Sequence, residues 1–175
     1  MPPLDTAFDF TNLIILITTH TNLACIIRQT FNKLMEEHNM IRPIVHDPAA
    51  LSIPASPATP ADIQVVTDLL ETLAAHTDNC VGMAANMIGV NKQIIVVQLG
   101  PFAIAMINPK IIDRHGAYDT QEGCLSLPGE RPTTRYHQVT VKYQDQHFKP
   151  QQQRFNDFTA QIIQHELDHC AGKLI

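Results

Sequence analysis

The chain has 175 residues, of which 45% are hydrophobic and 17% charged, and its formal net charge at pH 7 is −5. This length and composition fit one globular domain with a sizeable core. An acidic chain without a run of lysine and arginine argues against binding nucleic acid through its phosphates.

The first segment, residues 1–39, is predicted to be an N-terminal extension ahead of a domain that spans residues 40–175. Its apolar run at residues 13–17 is too short to cross a bilayer, so no membrane association is expected. Asp5 and Asp9 precede that run, whereas a signal peptide places positive charge there. Either Met35 or Met40 is expected to be the natural start, or the extension is an added or loosely packed segment. The alternative is an extra strand and helix packed on the outside of the domain.

The first predicted helix begins after a proline-rich connector. Thr59 can cap it, and Pro60 fits its first position. Apolar residues then recur at helical spacing and predict one buried face: Ile63, Val66, Leu70 and Leu73.

Several β-branched or alternating runs predict strands. They cover residues 94–98, 102–107, 110–112 and 139–143. Asn108-Pro109 is interpreted as a turn between the second and third of these runs.

A second helix is predicted near the end of the sequence. Asn156 can cap it, and Gly172 is a plausible stop. Five residues share one face of this helix and predict that the buried face continues into a functional one: Phe158, Ile162, His165, Glu166 and His169. Scattered strands with two helices indicate the α+β class.

The last helix carries an H-E-x-x-H pattern. His165 and His169 lie four residues apart on one helical face, so both can bind one metal ion. Glu166 is a natural proton carrier for a water molecule at that metal. Cys124, preceded by the flexible Gly123, is a candidate third ligand as a thiolate. Three protein ligands and an open position are typical of a catalytic metal.

Three motifs occur in the order found in peptide deformylases, and the chain resembles that family from about Met40 onward. They are Gly82-Met83-Ala84-Ala85-Asn86-Met87, Glu122-Gly123-Cys124-Leu125-Ser126 and Gln164-His165-Glu166-Leu167-Asp168-His169. The resemblance implies antiparallel strands packed around the C-terminal helix that carries the histidines. It also implies removal of the N-formyl group from N-formyl-methionyl peptides or nascent chains during protein biosynthesis.

The resemblance also implies roles for single residues. Cys124, His165 and His169 would hold one divalent metal ion, with Fe²⁺ expected and Zn²⁺, Ni²⁺ or Co²⁺ able to occupy the same ligands. Glu166 would take a proton from water and pass it to the leaving amine. The backbone N–H of Leu125 would stabilise the oxyanion. Four cysteines can by number form two disulfides, but a thiolate at the site favours a reducing cytoplasm.

The substrate contacts that the resemblance implies are mostly backbone groups. Gly82, Cys80 and Gly123 would hold the peptide main chain like an added strand. Ile162 is predicted to shape an apolar pocket for the methionine side chain, together with Phe158 and Met83; core packing is the alternative for these three residues.

Two positions depart from the family pattern. Cys80 stands where the family has glycine, and Met87 stands where it has a glutamine whose amide stabilises the oxyanion. Asn86 has an amide, but a neighbouring position usually points elsewhere. Weakened activity is therefore predicted, and a non-catalytic deformylase-like binding protein is the alternative.

A further alternative concerns the H-E-x-x-H pattern, which zinc endopeptidases share. A zinc endopeptidase is disfavoured because no His, Glu or Asp follows His169.

Glu122 and Arg135 are interpreted as an ion pair that fixes the Cys124 loop, or as two solvated charges. Asp168 is expected to face outward or to support a ligand without binding the metal.

Overall fold

The computed structural model of the protein describes residues 41–175. The predictions for residues 1–39 lie outside this part of the chain and stay predictions. Within residues 41–175, no helix is long and apolar enough to cross a membrane.

The described chain combines one sheet with short helices. The α-helices are α1 (Pro48–Leu51), α2 (Ile63–Ala74) and α3 (Asp157–Cys170), and 3₁₀ helices cover Pro60–Asp62 and Ala85–Ile88. The strands are β1 (Gly82–Ala84), β2 (Ile94–Leu99), β3 (Phe102–Gly123), β4 (Glu130–Gln144) and β5 (Pro150–Asn156). They pair antiparallel in the order β1-β2-β3-β4-β5. The predicted α+β class with antiparallel strands and a C-terminal helix is confirmed.

Strand β2 is buried on both faces, which explains its unbroken apolar sequence. Ile94 and Val96 belong to a core cluster that includes Val66, Leu69 and Leu73 of α2. Ile95 and Val97 point the other way and join a second cluster with Ile162 and Ile163 of α3. The sheet therefore lies between α2 and α3, and α3 presents its buried face to β1 and β2.

The predicted start of the first helix is confirmed, with one correction to its buried face. The backbone N–H and the hydroxyl of Thr59 both donate to the Asp62 carboxylate, which fixes the entry into the 3₁₀ helix and α2. Val66 and Leu73 are buried as expected. Ile63 is 41% exposed at the first position of α2.

The predicted turn at Asn108-Pro109 is wrong. Strand β3 runs continuously through both residues, and its register with β4 shifts between Ile107 and Lys110. Asn108 adopts φ 52°, a left-handed conformation that asparagine tolerates. Its amide accepts from the N–H of Ala58 and donates to the carbonyl of Ala58. The residues form a β-bulge because the side chain of Asn108 replaces the missing strand pairing.

Helix α3 begins and ends where the sequence predicts, although two details differ. Asn156 occupies the cap position, but its side chain accepts from Gln138 and makes no capping bond. Phe158 is 62% exposed, because it lies in the first turn at the mouth of a cleft. Gly172 has φ 73°, and a Cβ there would collide with the carbonyl of Ser52, so a glycine is required.

Candidate metal centre and active site

Three side chains converge where β3 ends beside α3. The Sγ of Cys124 and ring nitrogens of His165 and His169 all lie within 4.8 Å of one another. The Cys124 Sγ is 3.2 Å from the His169 Nε2. The histidines meet because they are four residues apart on α3, and Cys124 follows the last residue of β3 directly.

The surroundings favour a thiolate at Cys124. Burial raises the pKa of this thiol, but hydrogen bonds from His165 and His169 outweigh burial and lower the pKa to about 5. A thiolate and two imidazoles form a donor set that suits Fe²⁺, Zn²⁺, Ni²⁺ and Co²⁺. The three residues present therefore fit a divalent transition metal ion.

Glu122 orients one of the two histidines. Its carboxylate accepts from the His165 Nδ1 at 2.9 Å, so the other ring nitrogen is the one available on the Cys124 side. Burial raises the Glu122 pKa, but hydrogen bonds from Arg135 and His165 outweigh it and lower this pKa to about 2. The carboxylate is thus held ionised against the ring.

The ion pair between Glu122 and Arg135 is buried and bidentate. The Arg135 Nε and Nη2 donate to the two carboxylate oxygens at 2.8 and 2.7 Å, as the sequence interpretation favoured. The third guanidinium nitrogen donates to Asp168 at 2.6 Å, and Lys173 contacts the other Asp168 oxygen at 3.2 Å. Asp168 therefore supports the site through Arg135 and does not face the three converging donors.

Glu166 is a buried carboxyl group beside these donors. It is 3% exposed, and its Oε2 has no hydrogen-bond partner within residues 41–175. Burial raises its pKa, with the charges of Cys124 and Glu122 acting in the same direction against the two histidines. A buried carboxyl group with a free oxygen can accept and release a proton.

Gly82 of β1 passes directly over Glu166. A Cβ built on Gly82 would lie 2.5 Å from the Ile162 Cγ2 and 2.7 Å from the Glu166 Oε1. Both neighbours are fixed by burial in α3. Glycine is required here because the strand backbone approaches the helix closely.

We expect Gly82→Ala to displace the Glu166 carboxyl group, and a misplaced catalytic group commonly lowers activity by about 10²-fold. Overpacking should also lower the free energy of unfolding by about 1–3 kcal/mol. Denaturant unfolding and formate release check the two effects. Gly123→Ala is the control for stability, since its Cβ would have no neighbour closer than 3.8 Å. Unchanged stability and activity in Gly82→Ala would contradict the close approach.

A cavity of about 240 Å³ opens beside the three donors. It brings together six residues that the sequence analysis places at the substrate or at the oxyanion: Cys80, Gly82, Met87, Gly123, Leu125 and Ile162. Met83 is fully buried in the core and does not line the cavity, so of its two predicted roles the structure supports core packing. Sequence reasoning missed four lining residues: Asn79, Val81, Gln121 and Gln161.

One side of the cavity is an open strand edge. Among residues 41–175, strand β1 pairs only with β2 and lies at one edge of the sheet. The Cys80 thiol donates to the carbonyl of Gly82 at 2.9 Å, and burial raises the pKa of this thiol to about 11, so it keeps its proton. Cys80 therefore faces the cavity, and its thiol already donates a hydrogen bond to the Gly82 carbonyl on the strand edge where a peptide would pair.

Asn86 and Met87, which lie in the motif that departs from the family pattern, have different hydrogen-bond partners. The Asn86 amide donates to the carbonyl of His169 at 2.9 Å and to that of Leu51 at 3.3 Å. It therefore ties α3 to α1 and is not available as an oxyanion donor. Met87 lines the cavity, where its sulfur accepts weakly from the N–H of Ala84 at 3.4 Å and offers no donor.

The site combines a thiolate and two imidazoles around one point with a buried carboxyl group beside them. Together with a cleft along a strand edge, this arrangement defines a metal-dependent amide hydrolase. Comparison with known proteins gives the family. The family described as polypeptide deformylase matches residues 41–175, and the chain belongs to it.

Individual relatives agree with this assignment. The chain is 49% identical over 136 residues to a peptide deformylase of Clostridium beijerinckii, covering 78% of this chain and 100% of that protein. A crystal structure of a peptide deformylase from Legionella pneumophila superposes with a TM-score of 0.70 at 34% identity, covering 77% of this chain and 83% of that one. A Met-Ala-Ser-bound structure of the class I type b enzyme from Acinetobacter baumannii has a TM-score of 0.70 at 28% identity, with 77% and 97% covered. The resemblance found in the sequence is confirmed, and the chain is an enzyme of the peptide deformylase type.

Proposed function

We propose that the protein hydrolyses the formamide bond of N-formyl-methionyl peptides and nascent chains, releasing formate and a free amino terminus. The convergence of Cys124, His165 and His169 beside the buried Glu166, at the open edge of β1, carries this proposal. The Acinetobacter relative binds Met-Ala-Ser, which has the form of such a product.

Cys124, His165 and His169 are the proposed ligands of one divalent metal ion, with Fe²⁺ expected. A metal ion bound there supplies Lewis acidity, which lowers the pKa of water and polarises the formyl carbonyl. Glu122 holds the His165 ring through its Nδ1, and Arg135 holds Glu122, so the ligand geometry is fixed before substrate arrives.

Glu166 is the proposed proton carrier. Its free carboxyl oxygen takes a proton from the attacking water and delivers it to the leaving nitrogen, so that formate and amine separate. The Leu125 backbone N–H is one proposed oxyanion donor, and Met87 supplies none. We therefore propose a turnover below that of relatives with the motif glutamine.

A second candidate function is binding of formylated or other N-termini without turnover. It is favoured by Met87, which lacks a donor, and by Cys80, whose thiol already occupies the Gly82 carbonyl.

The deciding experiment is formate release from a formyl-Met peptide. The protein is prepared anaerobically and loaded with Fe²⁺, and Glu166→Ala is the matched control. We expect release by the wild type that the control lacks at equal metal loading. Equal release by both proteins would contradict the role of Glu166, and no release with metal bound would favour the binding function.

The metal content is expected to be about one ion per chain. Cys124→Ser should lower it, because a neutral hydroxyl is a poor replacement for a thiolate. His165→Ala combined with His169→Ala should abolish it. Elemental analysis after gel filtration checks these contents, with the exposed His147→Ala as control. One ion held with the original affinity by the double variant would refute the ligand set.

The domain is proposed to be complete without residues 1–39. The family match covers residues 41–175, and the Clostridium relative is covered over its whole length. A chain that starts at Met40 is expected to keep its metal content and its thermal transition, measured by elemental analysis and calorimetry. A large fall in melting temperature would show that residues 1–39 stabilise the domain.

The proposed compartment is a reducing cytoplasm. Cys80, Cys124 and Cys170 are all free in the described part of the chain. Cys124 has to remain a thiolate for the proposed role, and oxidation would remove it as a ligand.

A further inference from the structure

Three polar residues that line the cavity have no part in the proposed reaction, and one of them, Gln161, lies on α3 beside the apolar residue Ile162. Apolar side chains of Val81, Phe158 and Ile162 line it, as a pocket for a thioether side chain requires. Gln161 lies next to Ile162 on α3 and lines the same cavity with a primary amide. An amide is a poor packing partner for an apolar side chain unless it bonds to something there.

The orientation of the Gln161 amide is fixed from outside the cavity. The Tyr118 hydroxyl donates to the Gln161 Oε1 at 3.0 Å. The Tyr118 ring stacks on His137, with ring centroids 4.2 Å apart and an angle of 22° between the planes. The carbonyl end of the amide is therefore occupied, while the Nε2 has no hydrogen-bond partner within residues 41–175. A half-buried donor pair is thus available at the pocket wall.

Such a donor discriminates between side chains by their acceptors. The sulfur of methionine is a weak acceptor, and the methylene of norleucine accepts nothing. The oxygen of methionine sulfoxide is a strong acceptor on a side chain of nearly the same length. A purely apolar pocket would reject the sulfoxide, because its oxygen would lose water without a replacement hydrogen bond.

We propose that Gln161 is a specificity-determining residue that lets the first side-chain pocket accept methionine sulfoxide as well as methionine. The Gln161 Nε2 donates to the sulfoxide oxygen, and Tyr118 holds the amide in the orientation that allows it. The proposal rests on the proposed function for its substrate class. The chemistry at the formyl group is unchanged, because water adds across the amide and formate and amine leave.

The test compares three formyl tripeptides whose first residue is Met, Met sulfoxide or norleucine, each followed by Ala-Ser. The ratio of kcat/KM for sulfoxide to that for norleucine is measured in one preparation, so metal content and active fraction cancel. We expect Gln161→Met, which keeps length but loses the donor, to lower this ratio roughly three- to tenfold. Tyr118→Phe keeps the stacked ring and loses the hydroxyl, and a smaller fall in the same direction is expected.

Binding separates this proposal from the proposed reaction. The affinities of the deformylated peptides Met-Ala-Ser and Met-sulfoxide-Ala-Ser are measured by calorimetry on wild type and Gln161→Met, with Gln161→Leu as second variant where Gln161→Met does not fold. In one outcome, no formate is released from any of the three substrates, but Gln161→Met still binds the sulfoxide peptide more weakly than the wild type does. That outcome would overturn the proposed deformylation and would keep the role of Gln161. A ratio that Gln161→Met leaves unchanged in both turnover and binding would overturn the role of Gln161.

Discussion

Replacing Glu166 by glutamine is expected to lower kcat for formate release by roughly 10²–10⁴-fold, with the metal content unchanged. Glutamine has the same shape, so the packing against Gly82 and Ile162 is preserved. The amide cannot take a proton from water and deliver it to the leaving amine, so only that transfer is lost. Stopped assays of formate at saturating substrate, with elemental analysis of the same samples, measure both quantities.

The matched control for this prediction is Glu130→Gln, which removes a carboxylate that is exposed at the start of β4. It should release formate at the wild-type rate. A Glu166→Gln variant that keeps its metal and more than a tenth of the wild-type kcat would assign the proton transfer to another group. Loss of the metal in that variant would instead give Glu166 a part in forming the ligand site.

Met87→Gln is expected to raise formate release by up to about 10²–10³-fold, the amount that one oxyanion donor commonly contributes. Met87 already lines the cavity beside Cys124, and glutamine has nearly its length. The gain should appear mainly in kcat, because the oxyanion exists only in the intermediate and the transition states that flank it. Steady-state kinetics at equal metal loading separate kcat from KM.

Met87→Leu is the control for that gain, since it changes the size and shape of the side chain without adding a donor. An equal rise in both variants would show that methionine obstructs the cavity and that a donor is not what is missing. Cys80→Gly combined with Met87→Gln frees the Gly82 carbonyl as well, because the thiol that occupies it is removed. No release by any of these variants, with metal bound and the fold intact, would favour the non-catalytic binding function.

The convergence of the two histidines was predictable because it depends on short-range geometry. Two histidines four residues apart must share a face once α3 forms, and the Cys124 motif supplied a third donor through the family resemblance. The continuity of β3 was not predictable, since Asn108-Pro109 is a strong local turn signal. It is overridden by a bond from the Asn108 amide to Ala58, fifty residues away. Long-range contacts of that kind leave no periodic trace in the sequence.

The residues that line the cavity also divide into those that local sequence patterns predict and those that only long-range packing brings together. Ile162 follows the helical face of the histidines and was predicted, whereas Met83 turned into the core because β1 alternates its side chains. Gln161 and Tyr118 lie forty-three positions apart and meet only through the packing of α3 on the β3–β4 hairpin. Neither residue belongs to a motif, so only the folded structure relates them to the site.

The distances along the chain between contacting site residues bear on the order of folding events. Strands β3 and β4 form a hairpin, and the pair next to its turn is Gly123 with Glu130. Because these residues are close in sequence, the hairpin can form locally. Cys124 meets His169 across 45 residues, and the Asn86 amide reaches the His169 carbonyl across 83. Closing such long loops reduces chain entropy and delays these contacts. We therefore expect the proposed metal ligands to assemble late in folding, so that a bound ion would slow unfolding with little effect on the rate of folding.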